Sequence, residues 1–171
     1  MYQKILAFGD SLTFGYGAEA SQSYPAYLSK LLGVDVINEG VNGELSREGV
    51  ARLPLLLEQY RPDLVILCHG GNDILQKKSL EQLQRNVEKM AVLAQQSGSD
   101  VLLVGVPDLS LFGLDVLPLY ERVADRHGLM IESDVLAEIL SDTTLKSDSI
   151  HPNASGYAAM AQALYKVLQN P

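Results

Sequence analysis

Two unbroken apolar runs limit the fold more than anything else in the chain: Leu64-Val65-Ile66-Leu67-Cys68 and Val101 to Val106. Each is short and bounded by turn residues, which suits a strand buried on both faces. A sheet buried on both faces needs helices above and below it. The chain supplies them by alternation. Lys4-Ile5-Leu6-Ala7 reads as a first strand, and Tyr24 to about Leu32 as a helix, with Pro25 in its first turn and Gly33 as its stop. Val34 to Ile37 reads as a second strand, leading into a polar loop from Asn38 to Gly43. Glu48 to Tyr60 has Val50, Leu53, Leu56 and Leu57 on one side of a helix, with a break or kink expected at Pro54. Ser79 and Gln82 form a capping-box pattern for a helix that stops at Gly98. A helix at Leu117–His127, a short strand at Leu129–Ile131, a helical turn or two at Val135–Leu140 and a last helix from Asn153 complete the series. Strands alternating with helices imply a parallel α/β sheet covered on both faces. With no repeat, low-complexity tract or linker, residues 1–171 read as one domain.

Composition narrows the function. The formal net charge of −8 argues against holding nucleic acid through its phosphates, and against adhesion to anionic lipid. A neutral small molecule meets no such obstacle. The single cysteine, Cys68, cannot close an internal disulfide and reads as a core thiol. Met1-Tyr2-Gln3-Lys4 runs straight into a strand, without the pattern of a signal peptide, and no run approaches a membrane span. The expectation is a cytoplasmic protein, or a periplasmic or secreted one if a leader has been removed. It would be a monomer or small homo-oligomer, without stable membrane insertion.

The polar residues gather in four loops. Gly9-Asp10-Ser11-Leu12 follows the first strand, Asn42-Gly43 the second and Gly71-Asn72-Asp73 the third, while Asp148-Ser149-Ile150-His151-Pro152 precedes the last helix. In an open parallel sheet the loops after strands emerge at one edge. A serine hydroxyl becomes a nucleophile only when a base takes its proton, and histidine is the natural base. Ser11 and His151 fit those roles, with Asp148 able to orient the imidazole. The competing reading has Ser11 only capping a helix. An oxyanion would need donors, which backbone N–H groups of Ser11 and Gly43 and the amide of Asn72 can supply. Asp10 and Asp73 read as loop braces, and His69 as a structural residue at a strand end. Asn42 is equally a turn residue, and Asn38 and Glu39 have no evident task. His127 sits at a helix end, where the dipole favours a cation.

These four blocks, in this order, resemble those of the SGNH or GDSL-type hydrolases, over nearly the whole chain. The nearest branch looks like the small bacterial acyl-esterase, thioesterase and lysophospholipase-type enzymes. The resemblance implies a flavodoxin-like three-layer α/β/α sandwich with a five-stranded parallel sheet. It implies a catalytic Ser11, Asp148 and His151, an oxyanion hole of Ser11, Gly43 and Asn72, and neither metal nor cofactor. The expected substrate is a carboxylic ester, thioester or lysophospholipid.

The apolar stretch Leu109 to Leu114 has two readings: core packing, or a wall for an acyl chain formed by Leu109, Leu111 and Phe112. A carbohydrate O-acetyl esterase on the same scaffold is the alternative function. A nucleotide- or flavin-binding module is more distant, since no G-x-G-x-x-G and no Walker lysine follows the first strand. An α/β-hydrolase is disfavoured by the missing G-x-S-x-G elbow.

Overall fold

A computed structural model of the protein describes residues 2–109 and 114–170. The chain runs β1 (Lys4–Gly9), α1 (Ser11–Phe14), α2 (Tyr24–Leu32), β2 (Asp35–Gly40), α3 (Ser46–Tyr60), β3 (Leu64–Cys68) and α4 (Gly71–Leu75). It continues through α5 (Leu80–Gln96), β4 (Asp100–Val104), α6 (Pro118–His127), β5 (Met130–Glu132), α7 (Val135–Ser141) and α8 (Ala154–Gln169).

The five strands form one sheet in the order β2-β1-β3-β4-β5, and every pairing is parallel. This is the flavodoxin-like order, in which the connections reverse direction between β1 and β3. Burial follows position. All five residues of β3 are buried, as their aliphatic side chains require. The edge strands β2 and β5 have no fully buried residue. Helices α3, α5 and α6 pack in one layer and α2, α7 and α8 in the other.

Several local expectations change. Pro54 does not break α3, which is continuous from Ser46 to Tyr60. Pro54 is exposed, so water can take the carbonyl that loses its intrahelical partner. The same helix starts earlier than Glu48, because the Glu48 side chain reaches back to accept the Leu45 N–H at 2.8 Å. Strand β2 runs on through Asn38 and Glu39 to Gly40, since pairing with Ala7, Phe8 and Gly9 of β1 overrides the polar composition. Strand β4 ends at Val104 instead of Val106, and Pro107 makes an isolated bridge to Val116. The capping box at Ser79 is half formed. Ser79 Oγ accepts the Gln82 N–H at 3.2 Å, while the Gln82 amide turns to Asn86 Oδ1 at 3.0 Å. The one-turn helix α4 was not expected; like α1, it springs from the carboxyl end of a central strand.

Helix α1 lies close against the end of β2, and a Cβ on Gly40 would run into the Phe14 backbone. Gly40→Ala should therefore cost about 1–3 kcal/mol, the usual toll of overpacking. Urea unfolding checks this, and a midpoint equal to that of the parent would contradict the close approach.

Candidate active site

Asp10 ends the turn out of β1. Its Oδ1 accepts the Leu12 N–H at 3.0 Å, so Asp10 caps α1 and Ser11 is the first helical residue. The Ser11 side chain is therefore not the cap. Its Oγ lies 3.0 Å from His151 Nε2. On the other side of the ring, Nδ1 lies 2.8 Å from Asp148 Oδ2. Facing a carboxylate, Nδ1 carries the proton, which leaves the Nε2 lone pair for the serine.

The loop that delivers His151 is built around one carboxylate. Asp148 Oδ1 accepts the N–H groups of Ile150 at 2.9 Å and His151 at 2.8 Å, while Oδ2 is given to the imidazole. Burial works against the charge, but these two amides and the imidazole outweigh it and hold the Asp148 carboxyl below its ordinary range. The Ser147 N–H donates to the His151 carbonyl at 2.9 Å, which closes the loop. Asn153 then caps α8 by accepting the Gly156 N–H at 3.0 Å and ties back to the Thr144 carbonyl at 2.9 Å. The Tyr16 ring stands against the imidazole, with centroids 4.5 Å apart. Tyr157 of α8 holds Tyr16 in place by donating its hydroxyl to the Tyr16 carbonyl at 2.8 Å.

The loop after β2 brings Gly43 to the same cleft, with φ of 78° in the left-handed region that suits glycine. Asn72, on α4, donates Nδ2 to the Glu44 carbonyl at 3.0 Å. A primary amide has two N–H bonds, so one remains to serve the cleft. Asp73 braces the loop from behind, accepting the Ser46 N–H at 2.8 Å and its hydroxyl at 2.7 Å. The cleft is lined by Ser11, Asn42, Gly43, Asn72 and His151, with apolar walls from Leu12, Leu75, Leu109 and Ile150. Leu109 thus lies at the site, whereas Leu111 and Phe112 lie outside the described residues.

Other groups fall into place. Burial pushes the Asp10 carboxyl up, against the pull of His69 and of the Leu12 N–H. Burial also pushes the Cys68 thiol well up, which leaves it a core residue. His127 meets Glu88 at 2.7 Å. Glu39 accepts the Tyr60 hydroxyl at 2.8 Å and lies 3.4 Å from Arg52, a task its surroundings in the sequence do not reveal. Sequence reasoning also passed over Tyr16, Glu44 and Arg52. Tyr16 stands between Gly15 and Gly17, a spacing that marks a loop; the other two give no signal, since an acid beside a glycine and an arginine on a helix are ordinary surface patterns.

Residues 7–159 match the GDSL-like Lipase/Acylhydrolase family. The chain belongs to this family. It is 30% identical to the protein named Esterase TesA of Pseudomonas aeruginosa, over 98% of this chain and 88% of that one. It is 27% identical to Thioesterase 1/protease 1/lysophospholipase L1 of Escherichia coli, over 96% of this chain and 83% of the other. The crystal structure of TesA superposes with a TM-score of 0.87 at 30% identity, covering 98% of each chain. The five-stranded parallel sheet described above matches the fold of those hydrolases, and no helix among the described residues is long and apolar enough to cross a membrane.

Because the folded carboxyl of Asp148 lies below its unfolded value, its stabilisation is present above the ordinary carboxylate pKa of about 3.9 and is lost as pH falls through the lower folded value. The advantage in Tm of the parent over Asp148→Asn should accordingly shrink as melts are moved below about pH 4. A constant difference from pH 7 downward would show that the charge of Asp148 contributes nothing to the loop.

Proposed function

We propose that this GDSL-family protein hydrolyses carboxylic esters of acyl substrates through an acyl-enzyme on Ser11. The observation that carries the reading is the continuous relay from Ser11 Oγ to His151 Nε2 at 3.0 Å, and from Nδ1 to Asp148 Oδ2 at 2.8 Å, at the mouth of a cleft. In acylation, Oγ bonds to the substrate carbonyl carbon and its proton passes to Nε2. Asp148 holds the imidazole in place and stabilises the cation that forms. The carbonyl oxygen becomes an oxyanion, received by the backbone N–H groups of Ser11 and Gly43 and by the second N–H of Asn72. Collapse breaks the bond to the leaving group, which takes the proton from Nε2. Water then repeats the sequence: it gives a proton to Nε2, attacks the acyl carbon and releases the acid and a restored serine. We take residues 1–171 as a single catalytic domain.

The cleft supports an acyl substrate more than a sugar acetate, because Leu75, Leu109 and Ile150 give it apolar walls. The names of the relatives, esterase and thioesterase/lysophospholipase, support extending the range to thioesters and lysophospholipids.

Ser11→Ala should abolish hydrolysis of short p-nitrophenyl esters without altering the circular dichroism spectrum; retained turnover would remove Ser11 from the mechanism. Asn72→Ala should lower kcat about a hundredfold with KM nearly unchanged, because the donor acts on the transition state. A rise in KM at constant kcat would mean that Asn72 binds the substrate's ground state instead.

A further inference from the structure

Behind the cleft lies a charged cluster that the ester chemistry does not use. Glu44 follows Gly43 and is only 6% exposed, an uncommon place for a carboxylate. Arg52 grips it with two prongs, Nε to Oε1 and Nη2 to Oε2, each at 2.7 Å. His69 Nε2 meets the same Oε2 at 3.0 Å. Burial opposes the charge on Glu44, but Arg52 and His69 overcome it and hold the carboxyl below its ordinary range.

This arrangement is a poor investment if stability alone is at stake. Buried ion pairs roughly cancel against their desolvation. His69 is fully buried and its Nδ1 has no hydrogen-bond partner, a further penalty. The cluster does have a mechanical effect. The Arg52 guanidinium also donates to the Glu39 carbonyl at 3.0 Å and lies 4.3 Å from the centre of the Phe8 ring, so it is anchored to the ends of β2 and β1. His69 follows directly on β3. Glu44 is thus pinned from three adjacent strands, and its backbone carbonyl becomes a fixed acceptor. That carbonyl holds Asn72 Nδ2 at 3.0 Å. It selects the nitrogen end of the amide, since the oxygen end would set two acceptors against each other.

We infer that Glu44, clamped by Arg52 and His69, is a positioning residue that orients the Asn72 amide for the transition state. The inference rests on the reading of Asn72 as an oxyanion donor. An error of about 1 Å in such a group is enough to cost a large factor in rate.

Three variants and one cycle test it on the intact protein. Glu44→Gln keeps size and loses charge; kcat should fall about tenfold with KM within about twofold, the mark of a transition-state effect. Arg52→Lys keeps charge and loses the fork, and should show the same split. In an Asn72→Ala background, Glu44→Gln should cost less than about threefold, because its target is gone. A tenfold cost there would overturn the inference, since the effect would then bypass Asn72. Wild-type kcat in both Glu44→Gln and Arg52→Lys would overturn it too. Ser11→Ala, run alongside, keeps the two readings apart: a dead Ser11→Ala beside a fully active Glu44→Gln sinks the clamp and spares the nucleophile. Thermal melts of each variant separate loss of fold from loss of rate, and Arg52→Lys carries the test if Glu44→Gln unfolds.

Discussion

Three strands end at one level. Gly9 of β1 pairs with Gly40 of β2 on one side and with Cys68 of β3 on the other. That register is a consequence of parallel hydrogen bonding between buried aliphatic strands, and it is costly to shift by one residue, because every side chain would change faces. The loops leave this common rim, so Ser11, Gly43 and Asn72 need only two, three and four residues to arrive at one cleft. The site is the place where the direction of winding reverses, between β1 and β3, where an open sheet leaves a crevice. Positioning is inherited from the sheet and not built separately for each residue.

The fourth loop is different. It follows no strand of the rim and depends on its own hydrogen bonds. Asp148 organises it by capturing two main-chain amides with one oxygen and the imidazole with the other. The side chain that steers the ring is thus the one that shapes the backbone beneath it. Asn153 closes the unit against α8.

Much of this was legible in the chain because hydropathy and spacing are strong signals where burial is complete. The runs at Leu64–Cys68 and Val101–Val104 are strands for that reason. Legibility failed where a tertiary contact outweighed local composition. Asn38 and Glu39 look like loop residues, yet β1 recruits them into an edge strand. Pro54 looks like a breaker, yet it faces solvent, where a lost hydrogen bond is cheaply replaced. Four loop motifs pointed to Ser11, Gly43, Asn72, Asp148 and His151, because the types of residue that chemistry needs are few and their order is distinctive. The residues behind them were silent. Glu44 and Arg52 find each other across eight positions through a bend and a helix, and nothing in a linear pattern announces that an acid will be buried. His69 stood out only by its place beside the third block.

The loop from Ser147 to Asn153 has few ties to the sheet, and its order rests on short-range bonds within a handful of residues. A segment held in this way can open while the aliphatic sheet remains intact. Heat or mild denaturant can therefore draw His151 away from Ser11 at a milder condition than the one that melts the body of the protein. The placement of the imidazole and the integrity of the sheet then rest on separate parts of the chain.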